Sequence, residues 1–263
     1  MRDAYALIGN PVAHSKSPVI HAAFARAERQ DMSYGLIEAP LDGFEKAVGE
    51  FRRAGGRGLN VTVPFKEAAF RYCTRVSERA RVAQAVNTLV FGDDVYGDNT
   101  DGVGLVMDLT QGLGLSLKER SILVMGAGGA AQGVLGPLIE AGAGRLVVAN
   151  RTAERARALA ARFPPAQGCG FDAMGVEPFD IVVNATSAGF AGEQTPLPRF
   201  RPGMLAYDMV YGRDTPFLAA ARAAGARASD GLGMLVEQAA ESFRLWRGVR
   251  PQTAGVLRSL RGG

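Results

Sequence analysis

The stretch Ile122-Leu-Val-Met-Gly126-Ala-Gly128-Gly129-Ala130-Ala131 decides the fold of the second half of this chain. The stretch begins with an apolar run, continues into a glycine-rich turn of the form G-x-G-x-x-A, and leads into a helical pattern. Gly126 permits a tight turn, Gly128 lets a pyrophosphate approach the backbone, and Ala131 lets the helix pack closely on the strand. A glycine turn that only connects two elements is the alternative. The flanking strand and helix, with a second strand at the usual distance, favour dinucleotide binding. The residues expected to contact the cofactor here are Gly126, Ala127, Gly128, Gly129 and Ala130.

The end of the next strand indicates which dinucleotide binds. An acidic residue at that position binds the ribose 2′-hydroxyl of NAD and repels a 2′-phosphate. This chain instead has Asn150-Arg151-Thr152, with Arg155 one helical turn further on. Because guanidinium groups pair well with a phosphate dianion, these four residues predict NADP as the cofactor. Solvated arginines at the start of a helix are the alternative.

Alternating hydrophobic patterns extend in both directions from this turn. They predict two α/β domains: a doubly wound Rossmann-type NADP domain, preceded by a substrate domain with a mainly parallel sheet. The strands are expected over residues 5–9, 34–38, 58–63, 86–91, 95–97, 122–125, 145–149, 179–185 and 204–207. The helices are expected over residues 18–29, 42–54, 66–73, 77–84, 102–109, from the glycine turn to 141, and 153–163.

The C-terminal tail differs from the alternating part of the chain. Residues 232–246 carry an apolar face at helical spacing, and a shorter helix is expected over residues 253–260. Neither helix has a strand of its own, so both are expected to pack back onto the first domain. We therefore assign residues 1–101 plus 231–263 to the substrate domain and residues 102–230 to the NADP domain.

Composition excludes several classes of protein. The chain has 263 residues, 47% of them hydrophobic and 21% charged, which is typical of a globular enzyme. It has no apolar run long enough for a membrane span and no signal-peptide centre, and Cys73 and Cys169 have no disulfide or metal spacing, so we expect a cytoplasmic protein. The net charge of +4 comes from arginines scattered through the chain, and an anionic small ligand explains it as well as nucleic acid does. His14 and His21 lack a third clustered ligand, so no metal is expected.

Two polar segments follow predicted strands of the first domain. Residues 10–18 place Ser15 and Ser17 between a strand and a helix, where their hydroxyls suit a carboxylate; the alternative is that Ser17 only caps the helix. Residues 60–66 bring Thr62 and Lys66 to the same edge of the sheet. Lys66 follows the apolar Phe65, and desolvation there favours the neutral amine that can exchange protons. A solvated surface lysine is the alternative.

A third polar segment lies at the end of the first domain. Asn87 contributes an amide, and the run over residues 97–102 contributes the carboxylate of Asp101. Asp98 or Asp101 could instead cap the next helix.

Taken in order, residues 9–18, 60–66, 97–102, 150–152 and 230–235 resemble the shikimate dehydrogenase family, and the resemblance covers about residues 5–246. It implies reversible NADPH-linked reduction of 3-dehydroshikimate to shikimate in aromatic amino-acid biosynthesis. It also implies that Lys66 is the proton acceptor and Asp101 its partner. The substrate would be bound by Ser15 and Ser17 at its carboxylate, by Thr62, Asn87 and Gln238 at its ring hydroxyls, and by Tyr211. Further cofactor contacts would come from Thr186, Met209 and Gly231.

Other functions stay open at this stage. A quinate/shikimate dehydrogenase shares the fold and the catalytic pair, but the two serines and Arg151 favour shikimate and NADP. A methylenetetrahydrofolate dehydrogenase needs a larger pocket and a different motif around its lysine. A non-catalytic NADP-sensing regulator would not need both Lys66 and Asp101.

The expected partners are a small-molecule substrate and NADP, with no nucleic acid or membrane, for a monomer or homodimer. Gln132 stands where a related enzyme has arginine, so a cationic contact to the cofactor is expected to be missing there.

Overall fold

The backbone forms two compact α/β units. The protein, described by a computed structural model over residues 2–174, 178–186 and 195–262, divides into Met1–Gly104 with Leu235–Gly263, and Leu105–Met234. Each unit contains a six-stranded sheet among these residues. The strands are β1 Asp3–Gly9, β2 Met32–Glu38, β3 Gly56–Val61, β4 Arg75–Val76, β5 Thr88–Phe91, β6 Val95–Asp98, β7 Ser121–Met125, β8 Arg145–Asn150, β9 Gln167–Gly170, β10 Ile181–Asn184, β11 Leu205–Asp208 and β12 Arg227–Asp230.

Helices connect most of these strands. The α-helices of the described residues are α1 Ser17–Ala27, α2 Phe44–Arg53, α3 Lys66–Tyr72, α4 Glu78–Ala83, α5 Asp101–Met107, α6 Gly129–Glu140, α7 Ala153–Ala160, α8 Pro216–Ala223, α9 Leu232–Arg247 and α10 Ala254–Arg261. A π-helical turn, Asp108–Gly112, continues α5. No helix in these ranges combines the length and apolar character needed to cross a bilayer.

The first sheet has the order β2-β1-β3-β5-β6-β4. β5 runs antiparallel to both neighbours, β3 and β6, whereas β1, β2 and β3 pair in parallel, as do β4 and β6. The prediction of a mainly parallel sheet is therefore confirmed. Because β5 is reversed, the residue that precedes it lies at the same edge as the carboxyl ends of β1, β3 and β6.

The C-terminal helices pack on this first unit, as predicted. Ile20 and Phe24 of α1 form one buried apolar cluster with Val236, Ala239 and Phe243 of α9, and side chains of α10 pack against it. The burial of this apolar face stabilises helices that have no strand of their own.

The second sheet is entirely parallel and has the order β12-β11-β10-β7-β8-β9. Successive strands are added on one side of β7 up to β9 and then on its other side from β10 onward. This is the doubly wound Rossmann arrangement that the sequence predicts, and β7 and β10 carry continuous buried apolar runs because helices cover both faces.

Among the described residues, three strands and one α-helix were not predicted. β4, β9 and β12 are short and lack an apolar alternation, and they pair with β6, β8 and β11 respectively. Tertiary pairing, which no local pattern reports, therefore decides their conformation. α8 does carry a local signal, because Thr215 caps it by accepting a hydrogen bond from the Leu218 N–H, and Pro216 is its first residue.

Candidate active site

Lys66 and Asp101 form the central contact of the first unit. Lys66 is the first residue of α3 and Asp101 the first residue of α5. Nζ of Lys66 lies 2.5 Å from Oδ2 of Asp101, with the side chains only 14% and 7% exposed. Buried Phe65 anchors the turn before Lys66. The surface-lysine alternative is therefore wrong for Lys66.

Asn87 holds the other oxygen of the same carboxylate. It precedes β5, and its buried Nδ2 donates to Oδ1 of Asp101 at 2.9 Å. Its own Oδ1 accepts the Thr100 N–H at 2.8 Å, which fixes the orientation of the amide. Asp101 thus binds Lys66 through one oxygen and Asn87 through the other. At the start of α5, Oδ1 of Asn99 accepts the Asp101 N–H. The Asp101 carboxylate does not cap the helix, since it binds Lys66 and Asn87.

The two predicted serines lie together at the carboxyl end of β1. Oγ of Ser15 donates to Oγ of Ser17 at 3.1 Å and accepts the Ser17 N–H at 3.2 Å. Lys16 occupies the N-cap position of α1, so the capping alternative for Ser17 is wrong. Two neighbouring hydroxyls thus lie at the start of α1.

Thr62 lies against the carboxyl end of β1. Thr62 directly follows β3, and its N–H donates to the Ile8 carbonyl at 2.9 Å. A Cβ on Gly9 would lie 2.3 Å from the Cγ2 of Thr62. A side chain at position 9 would therefore displace Thr62, and glycine keeps this polar edge of the sheet open.

Gln238 lies on α9 within the same unit. Its Oε1 is 3.4 Å from both Nδ2 of Asn87 and Oγ1 of Thr100, and its Nε2 donates to the Leu235 carbonyl at 2.8 Å. Of the predicted substrate residues, the structure thus brings Asn87 and Gln238 to the Lys66–Asp101 pair. Tyr211 follows β11 in the second unit, so its part in a substrate site stays a prediction.

The glycine turn of the second unit has the geometry that phosphate binding requires. Gly126 has φ +108°, and a Cβ there would lie 3.0 Å from the Ala185 carbonyl oxygen. Gly128 is the N-cap of α6, and no described atom lies within 4 Å of where its side chain would begin. Ala131 is fully buried. The N–H groups that open α6 are therefore accessible to an anion, and the chain fits a dinucleotide pyrophosphate.

The predicted cofactor residues lie at carboxyl ends of strands in this unit. Asn150 ends β8 and donates to the Thr152 carbonyl at 3.0 Å, and the exposed Arg151 and Arg155 flank it. Their guanidinium groups suit the 2′-phosphate of NADP. Thr186 follows β10 and Met209 follows β11. A Cβ on Gly231 would lie 2.3 Å from the Met209 carbonyl oxygen, so these two backbone segments are in close contact.

Sequence reasoning missed a buried polar group at the same edge of the second sheet. Oδ1 of Asp208 accepts from Asn184 at 3.3 Å, and its Oδ2 accepts from the Thr215 hydroxyl at 2.6 Å. Burial raises the pKa of Asp208, against the effect of these hydrogen bonds. The signal was available, since Asn184 and Asp208 each end an apolar strand.

A second missed group lies under the first-unit site. Tyr34 donates to Oδ1 of Asn60 at 2.8 Å, and Nδ2 of Asn60 donates to Oγ of Ser242 at 2.9 Å. Burial raises the pKa of Tyr34 well above its usual range, opposed by a hydrogen bond from Ser17, so Tyr34 stays neutral. Ser242 is one helical turn beyond Gln238, and this spacing could have predicted a shared face.

Comparisons with known proteins agree with this geometry. Three family models match: the shikimate dehydrogenase substrate binding domain over residues 7–89, shikimate / quinate 5-dehydrogenase over residues 108–191, and the shikimate 5′-dehydrogenase C-terminal domain over residues 231–261. The shikimate dehydrogenase (NADP(+)) of Dechloromonas aromatica is 56% identical, with 99% of this chain and 98% of that protein covered. The chain belongs to the shikimate dehydrogenase family.

Solved structures of related proteins have the same fold. The shikimate 5-dehydrogenase of Thermus thermophilus, solved in complex with NADP(H) and shikimate, is 37% identical with a TM-score of 0.87. The match covers 99% of each chain. An Ael1 enzyme from Pseudomonas putida is 47% identical with a TM-score of 0.90, and 98% of each chain is covered. Shikimate dehydrogenase-type architecture therefore extends over nearly the whole chain. Among the residues that the structure describes, no cluster of three potential metal ligands occurs.

Proposed function

We propose that this chain catalyses the reversible NADP-linked interconversion of shikimate and 3-dehydroshikimate, with Lys66 and Asp101 handling the proton. The observation that carries the proposal is the 2.5 Å contact between Nζ of Lys66 and Oδ2 of Asp101. The chain that makes this contact is 55% identical to the shikimate dehydrogenase (NADP(+)) of Methylobacillus flagellatus, and the match covers 98% of this chain. The reaction belongs to aromatic amino-acid biosynthesis.

The alcohol must lose a proton as well as a hydride when it is oxidised. As a neutral amine, Lys66 accepts the hydroxyl proton at Nζ, and the resulting ammonium is stabilised by the carboxylate of Asp101. In the reverse direction, the Lys66 ammonium donates a hydrogen bond to the ketone oxygen and then a proton to the developing alkoxide. NADP would supply the hydride acceptor when bound.

The other first-unit residues would hold the substrate. Ser15 and Ser17 present adjacent hydroxyls to the carboxylate, and Thr62, Asn87 and Gln238 present hydroxyl and amide groups to the ring hydroxyls. Binding at several points orients the reacting alcohol toward Nζ of Lys66, which lowers the entropic cost of reaction. Tyr211 is the remaining proposed substrate residue.

The second unit would hold NADP. The N–H groups at the start of α6 and the turn from Gly126 to Ala130 would bind the pyrophosphate, whereas Asn150, Arg151, Thr152 and Arg155 would bind the 2′-phosphorylated ribose. Thr186, Met209 and Gly231 complete the proposed contacts. We assign the enzyme to the cytoplasm, because the free thiols of Cys73 and Cys169 accord with a reducing compartment.

Turnover assays on a panel of substrates test this proposal. Purified protein is mixed with shikimate, quinate or aminoshikimate and with NADP or NAD, and the absorbance of the reduced nicotinamide is followed. We expect the highest kcat/KM for shikimate with NADP. A higher value for quinate would make the chain a quinate dehydrogenase, a possibility raised by the shikimate / quinate family model. NADP binding without turnover of any alcohol would favour a sensor and contradict the proposal.

A further inference from the structure

We propose that Ser242 is a positioning residue that orients Asn87, and through Asn87 the carboxylate of Asp101, by way of a directed chain of buried hydrogen bonds. The inference rests on the proposed function for its kinetic consequence. Ser242 lies on α9 within the first unit and is fully buried. It belongs to none of the residues that the sequence indicates for substrate, cofactor or proton transfer.

The direction of the chain follows from counting hydrogens. Thr88 has one hydroxyl hydrogen, which it donates to Oδ1 of Asn87 at 2.9 Å. With that hydrogen used, Ser242 is the donor in the 2.8 Å contact between the hydroxyls of Thr88 and Ser242. The single Ser242 hydrogen is then shared between Thr88 and the Gln238 carbonyl, to which Ser242 also donates at 3.0 Å. Ser242 in turn accepts from Nδ2 of Asn60 at 2.9 Å.

The far end of this chain is oriented as well. Oδ1 of Asn60 accepts from the Tyr34 hydroxyl at 2.8 Å, so the amide of Asn60 must direct its Nδ2 toward Ser242. The series thus runs from Tyr34 through Asn60, Ser242 and Thr88 to Asn87, with the Ser242 hydrogen shared between Thr88 and the Gln238 carbonyl. Hydrogen bonds arranged head to tail polarise and strengthen one another.

The near end of the chain is the carboxylate of the proposed catalytic pair. With its oxygen held by Thr88 and by the Thr100 N–H, the Asn87 amide can only direct Nδ2 toward Asp101. Oδ1 of Asp101 is thereby occupied, which leaves Oδ2 for Lys66. Loss of the Ser242 hydroxyl would remove the donor that fixes the rotation of the Thr88 hydroxyl, so the bond from Thr88 to Oδ1 of Asn87 would be held less firmly.

Two Ser242 variants separate hydrogen bonding from shape. Ser242→Ala removes the hydroxyl, and Ser242→Cys keeps a side chain of similar shape with a much weaker donor and acceptor. We expect both variants to lower kcat for shikimate about tenfold, the value of one lost hydrogen bond, with a smaller change in KM. Val236→Ala, which truncates a fully buried residue of the same helix outside the polar chain, is expected to lower stability and leave kcat unchanged. A kcat unchanged in both Ser242 variants would overturn the proposal.

A double-mutant cycle tests whether Ser242 acts through Asn87. Once Asn87→Ala is present, adding Ser242→Ala is expected to lower kcat by less than twofold more, because the intermediary is already gone. Independent, multiplying losses would contradict the proposal and indicate a purely structural role for Ser242.

An NMR measurement does not depend on turnover. We expect the side-chain amide hydrogens of Asn87 to exchange with solvent at least tenfold faster in Ser242→Ala than in the parent protein. If the parent protein fails to oxidise shikimate but this difference appears, the proposed function is wrong and the positioning role stands. Equal exchange rates would overturn the positioning role whatever the enzyme's substrate is.

Discussion

Arg151 is the residue on which the choice between NADP and NAD depends most directly. It is exposed at the carboxyl end of β8, with Arg155 one turn along and no acidic residue between Ala149 and Ala153. A guanidinium at this place interacts with a 2′-phosphate but has little to gain from a 2′-hydroxyl.

Arg151→Ala is expected to raise the KM for NADP about tenfold or more, because a charge-assisted hydrogen bond to the 2′-phosphate is lost. The KM for NAD should change by less than twofold. Steady-state kinetics with both dinucleotides checks this. Arg157→Ala is the matched control, since Arg157 is also exposed on α7 but pairs with Glu154. Equal effects of Arg151→Ala on both cofactors would contradict the assignment.

Individual site residues could be predicted from the sequence only as far as their place on the chain. Lys66 and Asp101 are 35 residues apart, and no local pattern shows that their side chains meet. The contact arises because β5 runs antiparallel to both β3 and β6, so the carboxyl ends of β3 and β6 lie at the same edge of the sheet. Lys66 follows β3, Asp101 follows β6, and Asn87, which precedes β5, lies between them. The spacing of Ser242 from Gln238 indicates a shared helical face, but not that Ser242 meets Asn60 and Thr88, which are distant in the chain.

Helices α1 and α9 enclose a histidine, His21. His21 is fully buried and stacks on Tyr34 with ring centroids 4.2 Å apart, and Trp246 of α9 lies at 5.3 Å. Burial lowers the pKa of His21 to about 3, outweighing the smaller effect of the Asn60 side chain, which acts in the opposite sense. His21 therefore stays neutral, and its ring serves the packing of the two helices.

This burial makes stability depend on pH in a definite direction. Because the pKa of His21 is lower in the folded protein than its ordinary value of 6.5, the unfolded chain binds more protons between these two values. The contribution that neutral His21 makes to the free energy of unfolding is fully present above about pH 6.5, and it is lost as the pH drops toward about 3. His21 alone is expected to lower the free energy of unfolding by about 2 kcal/mol between pH 7.5 and pH 5.

His21→Phe keeps an aromatic ring in the cluster and removes the titration. Urea titration gives the free energy of unfolding at each pH. Between pH 7.5 and pH 5, we expect this free energy to fall by about 2 kcal/mol less in the variant than in the parent protein. His14→Gln, which replaces the exposed histidine, serves as control and should retain the parent pH dependence. An unchanged pH dependence in His21→Phe would contradict the account of α1 and α9.

Predictability differed sharply among elements. Strands β1, β7 and β10 carry apolar runs and were located to within a few residues, because burial on both faces leaves a strong local pattern. By contrast, β9 and β12 contain glycine, alanine or polar residues and exist because parallel neighbours β8 and β11 offer backbone partners. The predicted helix over residues 153–163 ends at Ala160, since the helix cannot continue into the two prolines that follow Phe163.

At the scale of the whole molecule, two sheets of different topology carry two kinds of chemistry. The first unit groups a lysine, a carboxylate, amides and hydroxyls at one sheet edge, which suits a polar acid. The second unit offers an all-parallel sheet with a glycine turn and arginines, which suits a phosphorylated dinucleotide. Family models of shikimate dehydrogenase match segments of both units. The assignment of residues 1–101 plus 231–263 and of residues 102–230 to these two tasks stays a prediction.

Turnover of Lys66→Ala tests most directly whether this chain oxidises shikimate with Lys66 as proton acceptor. With shikimate and NADP, kcat should fall by about two to four orders of magnitude, the usual loss on removal of an acid–base group, while the KM for shikimate changes far less. Lys46→Ala, at an 81% exposed lysine of α2, should retain full activity. A kcat of Lys66→Ala within about threefold of the parent value would contradict the account.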